Sequence, residues 1–251
     1  MNNACGSRGS LRFLLFGIPT EIQPFSWLLL SVLGLSMYSN SPSPLPSAMI
    51  FIVVGMLTLI AHELGHALTA RAFTRTTPLI IIGNLGGLTY TPARMPSRAS
   101  HFLMVFAGPF ASFVLGVIAA VALGLQVGAV GSALMIYVME PLSFIPGVNV
   151  PESAYLPVAE ALAEGGINHF ALLLYSTFFI VCFWWTVFNL MPILPMDGGH
   201  LLLTVTNNPK LTATVGLVLS ILLCIWFLTG GSIFMTLMLG YFAWINWQIL
   251  K

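Results

Sequence analysis

Ala61-His62-Glu63-Leu64-Gly65-His66-Ala67 stands inside a stretch, from about Ala48 to Ala72, that is otherwise apolar enough to cross a membrane. Two histidines and a glutamate at bilayer depth are costly and need a partner that offsets the cost. On a helix, His62 and His66 are four residues apart and share one face. That spacing lets two imidazoles grip one zinc ion while the intervening Glu63 works on a zinc-activated water. The first expectation is a membrane-embedded zinc hydrolase with one catalytic zinc ion per chain.

The rest of the chain agrees with a membrane setting. Of its 251 residues, 58% are hydrophobic and only 6% are charged, against about 25% charged in a soluble domain. A net charge of +1 gives no reason to expect a nucleic-acid partner. Cys5, Cys182 and Cys224 are scattered and odd in number, so no disulfide framework or cysteine zinc site is expected. No cleavable signal peptide is expected either, because the early apolar run Leu11 to Ile18 is short and is followed by Pro19, Glu21 and Pro24.

The fold class expected is an all-α polytopic membrane protein with a small membrane-associated β element. Six spans are read: Phe25 to Met37, Ala48 to Ala72, Ala99 to Leu125, His169 to at least Phe188, Leu211 to Leu228, and Ile233 to Leu250. The first is short, and the Leu11–Ile22 segment before it reads as a strand pair dipping into the interface. Thr77 to Thr91 is β-branched, apolar and glycine-rich around Gly83-Asn84-Leu85-Gly86-Gly87, which predicts a hairpin. Residues 126–168 form a mixed connection of unassigned role, in which Ala133 to Met139 reads as a piece lying on the membrane. Residues 1–251 are expected to form a single membrane domain.

Six spans put Arg8, Arg12, Arg71, Arg75, Arg94, Arg98, Lys210 and Lys251 all on one side. The other side holds Glu140, Glu152, Glu160 and Glu164. Both termini are therefore expected in the cytoplasm. The same count places His62 and His66 within the bilayer, nearer its cytoplasmic face.

A catalytic zinc takes three protein ligands and leaves a fourth position open. The third ligand expected is Asp197, in Asn189-Leu190-Met191-Pro192-Ile193-Leu194-Pro195-Met196-Asp197-Gly198-Gly199. Two prolines cannot sit in an uninterrupted helix, and broken helix at membrane depth is tolerated only where it is buried in protein or lines a wet cavity. Glu63 is expected to be the general base, and Asn189 to donate a hydrogen bond to the developing oxyanion or the substrate backbone.

These residues resemble the site-2 protease family of intramembrane zinc metalloproteases. The similarity rests on His62, Glu63 and His66 in one span, and on Asn189, Pro192, Pro195, Asp197 and Gly198 in a later one. It extends to Phe16-Gly17-Ile18-Pro19, to the Gly86-Gly87 hairpin, and to Ala107-Gly108-Pro109. The family often shows Asn three residues after that proline, where this chain has Ser112. The resemblance implies cleavage of a transmembrane helix of another protein, a single-span substrate, often after a first cut outside the membrane by an upstream site-1-type protease. Gly86 and Gly87 would let an extended substrate backbone approach closely. No PDZ or CBS domain, which some relatives carry, is expected. Small size and lack of targeting features lean toward a prokaryotic cell membrane.

Two other readings compete. A metal-ion transporter would spread acidic and histidine positions along a path, often in repeated halves; this chain concentrates them in two motifs and shows no repeat. A catalytically inactive helix-binding relative would lose Glu63 or a ligand, and neither is lost. His200 reads as a bystander, and His101 and His169 as interfacial residues.

Overall fold

The computed structural model describes residues 9–83, 86–143, 145 and 147–251. Cys5, Arg8 and the Asn84-Leu85 pair of the expected hairpin lie outside the described residues. The chain starts with two antiparallel strands, β1 (Leu11–Leu15) and β2 (Ile18–Ile22). A two-residue turn joins them, with Phe16 and Gly17 both at positive φ, the twist that matches hairpin strands. Helix α1 (Pro24–Met37) follows directly, with proline in its first turn.

Helix α1 is where the first expected span falls, and it is too short to cross alone. Fourteen residues rise about 21 Å, against about 30 Å of hydrocarbon. Gln23, between β2 and α1, donates its N–H to Ile82 O at 2.8 Å. The pairing of β2 therefore continues to the residue before α1. Its other end is tied to α2 by Arg71, which donates to Phe16 O at 2.8 Å.

Five helices are long and apolar enough to cross a membrane, among the described residues: α2 (Pro44–Thr74), α3 (Arg98–Gln126), α6 (His169–Leu190), α8 (Pro209–Thr229) and α9 (Ile233–Leu250). Between α2 and α3 lie β3 (Leu79–Gly83) and β4 (Gly86–Tyr90), the expected hairpin. Strand β3 also pairs in parallel with β2, so the sheet order is β1-β2-β3-β4 and β4 is an edge. Ile18, Ile22, Ile80 and Ile82 fill the space between the sheet and α1 and α2, packed with Leu30, Met56 and Leu59.

The 126–168 connection folds back onto the bundle instead of lying free on the membrane. It holds α4 (Val130–Met139), a 3-10 turn (Glu140–Leu142) and α5 (Glu152–Ala163). Tyr137 on α4 is fully buried against Phe113 on α3 and Phe179 on α6, and its hydroxyl donates to Phe113 O at 3.1 Å. After α6 the chain turns through residues 191–196 and starts α7 (Asp197–Thr206).

Candidate functional site

The two motifs meet where α2 crosses α3. A Cβ at Gly65 would lie 2.2 Å from Ala107 O, so only glycine allows this approach. A Cβ at Gly108 would lie 2.2 Å from His66 Nε2, so the glycine after Ala107 clears space for the imidazole. His62, Glu63 and His66 are all buried as a result.

The close crossing lets α3 fix the proton on each imidazole. His66 Nδ1 lies 2.8 Å from Met104 O. A carbonyl only accepts, so the proton is on Nδ1. His62 Nδ1 lies 3.1 Å from Ser112 Oγ, and the Ser112 hydroxyl donates its own proton to Gly108 O at 3.3 Å. Ser112 therefore accepts from His62, whose proton is also on Nδ1. Both Nε2 atoms are left as lone pairs, the form in which imidazole binds a metal.

The second motif brings Asp197 to those lone pairs. Helix α6 stops at Leu190, and α7 begins with Asp197 as its first residue. The two glycines that follow allow this tight return. A Cβ at Gly198 would lie 2.1 Å from Leu190 O, and one at Gly199 would lie 2.7 Å from the Ile193 carbonyl. Asp197 Oδ2 stands 3.0 Å from His62 Nε2 and 3.4 Å from His66 Nε2. The two Nε2 atoms are 3.1 Å apart.

Three lone-pair atoms with no proton among them should repel at these distances, and Asp197 Oδ2 is buried with no hydrogen-bond donor. A cation between them resolves this. Ligand atoms about 2.0–2.1 Å from a tetrahedral zinc stand about 3.3 Å apart. The observed edges of 3.0, 3.1 and 3.4 Å match that figure, so the donor set fits zinc. Glu63 is also close, since its carboxylate lies within 4.8 Å of both histidine nitrogens. Asp197 is the nearer carboxylate, with Oδ2 at 3.0 and 3.4 Å from the two Nε2 atoms, and Glu63 Oε2 accepts from Thr89 on β4 at 2.8 Å.

Other residues fall into place around this centre. Asn189 on α6 donates one N–H to Trp185 O at 2.8 Å, and the Trp185 ring stands edge-on to His62 with centroids 6.1 Å apart. Gly87 lies directly under Glu63, whereas a Cβ on Gly86 would meet nothing nearer than Trp185 at 3.9 Å. His101 hydrogen-bonds Thr204 at 2.9 Å, and both His101 and His200 line the same cavity as His62. His169 is exposed at the start of α6. Sequence reasoning did not single out Met104 or Thr89. Met104 acts through its backbone and leaves no signal in residue type. Thr89 is one of many threonines, and only the strand register brings it to Glu63.

The cavity has a volume of about 1670 Å³ and is lined from α1, α2, α3, α6, α7, α8, α9 and the β3–β4 hairpin.

An HExxH helix, a carboxylate returned from a second broken span and a sheet packed among the helices define a polytopic membrane protein built around a zinc-peptidase motif. Residues 50–238 match the family model described as peptidase family M50. The chain belongs to that family, and the resemblance to site-2 proteases stands. It is 23% identical over 233 residues to a zinc metalloprotease of Methanocaldococcus jannaschii, covering 90% of this chain and 56% of that protein. It is 29% identical over 197 residues to a candidate zinc metalloprotease of Synechocystis, covering 75% of this chain and 41% of that one. The chain thus spans about half the length of the curated relatives it matches. Its fold is that of a site-2 protease from M. jannaschii, with a TM-score of 0.55 and 21% identity over 96% of this chain and 95% of that one.

Proposed function

We propose that this chain is an intramembrane zinc metalloprotease that hydrolyses peptide bonds within or near transmembrane helices of other membrane proteins. The observation that carries the proposal is the convergence of His62 Nε2, His66 Nε2 and Asp197 Oδ2 at 3.0–3.4 Å, with Glu63 beside them in the same cavity. His62, His66 and Asp197 would hold one zinc per chain, which when bound supplies Lewis acidity for activating water and polarising the scissile carbonyl.

Glu63 takes a proton from the attacking water as the new C–O bond forms. It then delivers that proton to the leaving nitrogen as the C–N bond breaks, giving a carboxylic acid and an amine. Asn189 has committed one of its two N–H groups to Trp185 O. The other is available for a carbonyl oxygen of the substrate. A helix shields its own carbonyls, so the substrate has to be extended at the site, and the free edge of β4 offers a strand to pair with.

The basic residues support a cytoplasmic placement of both termini. Arg71 and Arg75 end α2, Arg94 and Arg98 precede or open α3, Lys210 opens α8 and Lys251 follows α9. Glu140, Glu152, Glu160 and Glu164 gather on the α4–α5 connection instead. A prokaryotic cell membrane agrees with the archaeal and bacterial sources of the relatives.

Reconstitution with tagged single-span membrane proteins tests the reading. Wild type should cut at least one of them within or beside its span. Glu63→Gln should abolish cleavage and keep zinc. Substantial cleavage by Glu63→Gln would remove Glu63 as the base, and zinc flux across the vesicle without cleavage would favour the transporter.

A further inference from the structure

Strand β4 is pressed against the middle of α2, on the side that carries Glu63. Gly87 and Thr89 are two residues apart and so face the same way. A Cβ on Gly87 would lie 2.2 Å from Glu63 Oε1 and 2.3 Å from both Cδ and Cγ, so the space a side chain would take is filled by the glutamate. Thr89 donates its hydroxyl to Glu63 Oε2 at 2.8 Å and also stands 3.1 Å from Glu63 O. Leu88 and Tyr90 point the opposite way and are exposed, at 63% and 60%.

We propose that Thr89 is the positioning residue for Glu63, and that residue 87 is glycine because Glu63 occupies its side-chain space. This rests on the protease reading above. A glutamate has three side-chain torsions and would sample several rotamers in an open cavity. Here the floor is Gly87 and one carboxylate oxygen is tied to Thr89. A hydroxyl has a single proton. That proton ties Oε2, and the contact of Gly87 with Oε1, Cδ and Cγ limits the remaining torsions, so the carboxylate is held in one orientation. Gly87 thus serves the base, a different use from clearing room for a substrate backbone. The two uses separate kinetically. Loss of base positioning lowers kcat, because the interaction matters in the transition state, whereas loss of substrate clearance raises KM.

The test uses the full chain in detergent with zinc, and two probes: fluorescently labelled casein, which is unfolded and needs no unwinding, and a tagged single-span helix. Thr89→Val keeps the side-chain shape and removes the hydroxyl. It should lower kcat by about 10- to 100-fold, the usual effect of removing a partner that orients an active-site group. KM should stay within about twofold, and zinc should remain at one per chain. Thr89→Ser restores the hydroxyl and should recover most of the lost kcat, which a merely structural role for the threonine methyl would not allow. Gly87→Ala should lower kcat in the same way with zinc retained. An unchanged kcat in Thr89→Val, a rise in KM alone, or no recovery in Thr89→Ser would each overturn the proposal. Contact is read separately from activity. The pair Glu63→Cys and Thr89→Cys should form a disulfide on mild oxidation, and failure to form it would overturn the placement of β4. If the disulfide forms but wild type with zinc cuts neither probe, the protease reading has failed, and the role of Thr89 falls with it.

Discussion

Replacing Ser112 by alanine should weaken zinc binding without touching a ligand. Ser112 accepts the Nδ1 proton of His62 at 3.1 Å, and it is completely buried. In Ser112→Ala that N–H loses its acceptor at a fully buried position between α2 and α3. The metal-free protein can relax, because the His62 ring is free to move its proton to Nε2 and donate to Asp197 Oδ2, now 3.0 Å away. The metal-bound protein has no such freedom, since Nε2 is needed for zinc and Nδ1–H stays orphaned. A buried unsatisfied donor costs about 1–3 kcal/mol, and here that cost falls on the bound state. At about 1.4 kcal/mol per factor of ten, the zinc dissociation constant should rise by roughly 5- to 150-fold. Competition between the detergent-solubilised protein and a fluorescent zinc chelator measures this directly. Ser112→Asn, which restores an acceptor, should recover part of the affinity. Wild-type affinity in Ser112→Ala would refute the reasoning that α3 sets the imidazole protons.

Gly65→Ala should be among the most damaging single-methyl additions in the chain. Its Cβ would meet backbone, 2.2 Å from Ala107 O, so α2 and α3 must part by about 1 Å, at about 1–3 kcal/mol or more; thermal melts in detergent should show the loss together with weakened zinc binding. Gly108→Ala instead meets the His66 ring, so zinc affinity should fall more than stability, and equal falls would argue against a specific effect on His66. Asn246 on α9 donates to Leu194 O at 2.7 Å, which ties the last helix to the turn before Asp197. Asn246→Ala should loosen that turn and lower kcat, and an unaltered rate would show that α9 does not help place Asp197.

The candidate site was legible in the sequence because each of its residues is expensive where it stands. His62, Glu63, His66 and Asp197 interrupt apolar runs, so their presence at depth demanded an explanation before any coordinates. The helices α2, α3, α6, α8 and α9 follow the apolar runs to within a few residues. The glycine-rich segment around Gly83 and Gly86-Gly87 marked the β3–β4 hairpin, and Leu11–Ile22 read as the β1–β2 strand pair. Other features were beyond local reading. The parallel pairing of β2 with β3 joins residues about sixty apart, and no local pattern announces it. The burial of Tyr137, which draws α4 onto the bundle, depends on facing surfaces of α3 and α6. Gly198 and Gly199 allow a close approach of α7 to the end of α6, which only the folded backbone shows. The supports from Met104, Ser112 and Thr89 came from helix crossing and strand register, which residue type alone does not encode.

The most direct test of the account is the zinc content of the purified, detergent-solubilised protein, measured for wild type, His66→Ala and Asp197→Ala. The account predicts about one zinc per wild-type chain and loss of zinc in both variants, with the fold retained. A well-folded wild type without metal, or an Asp197→Ala variant that keeps wild-type zinc, would contradict the three-ligand site joining α2 to α7.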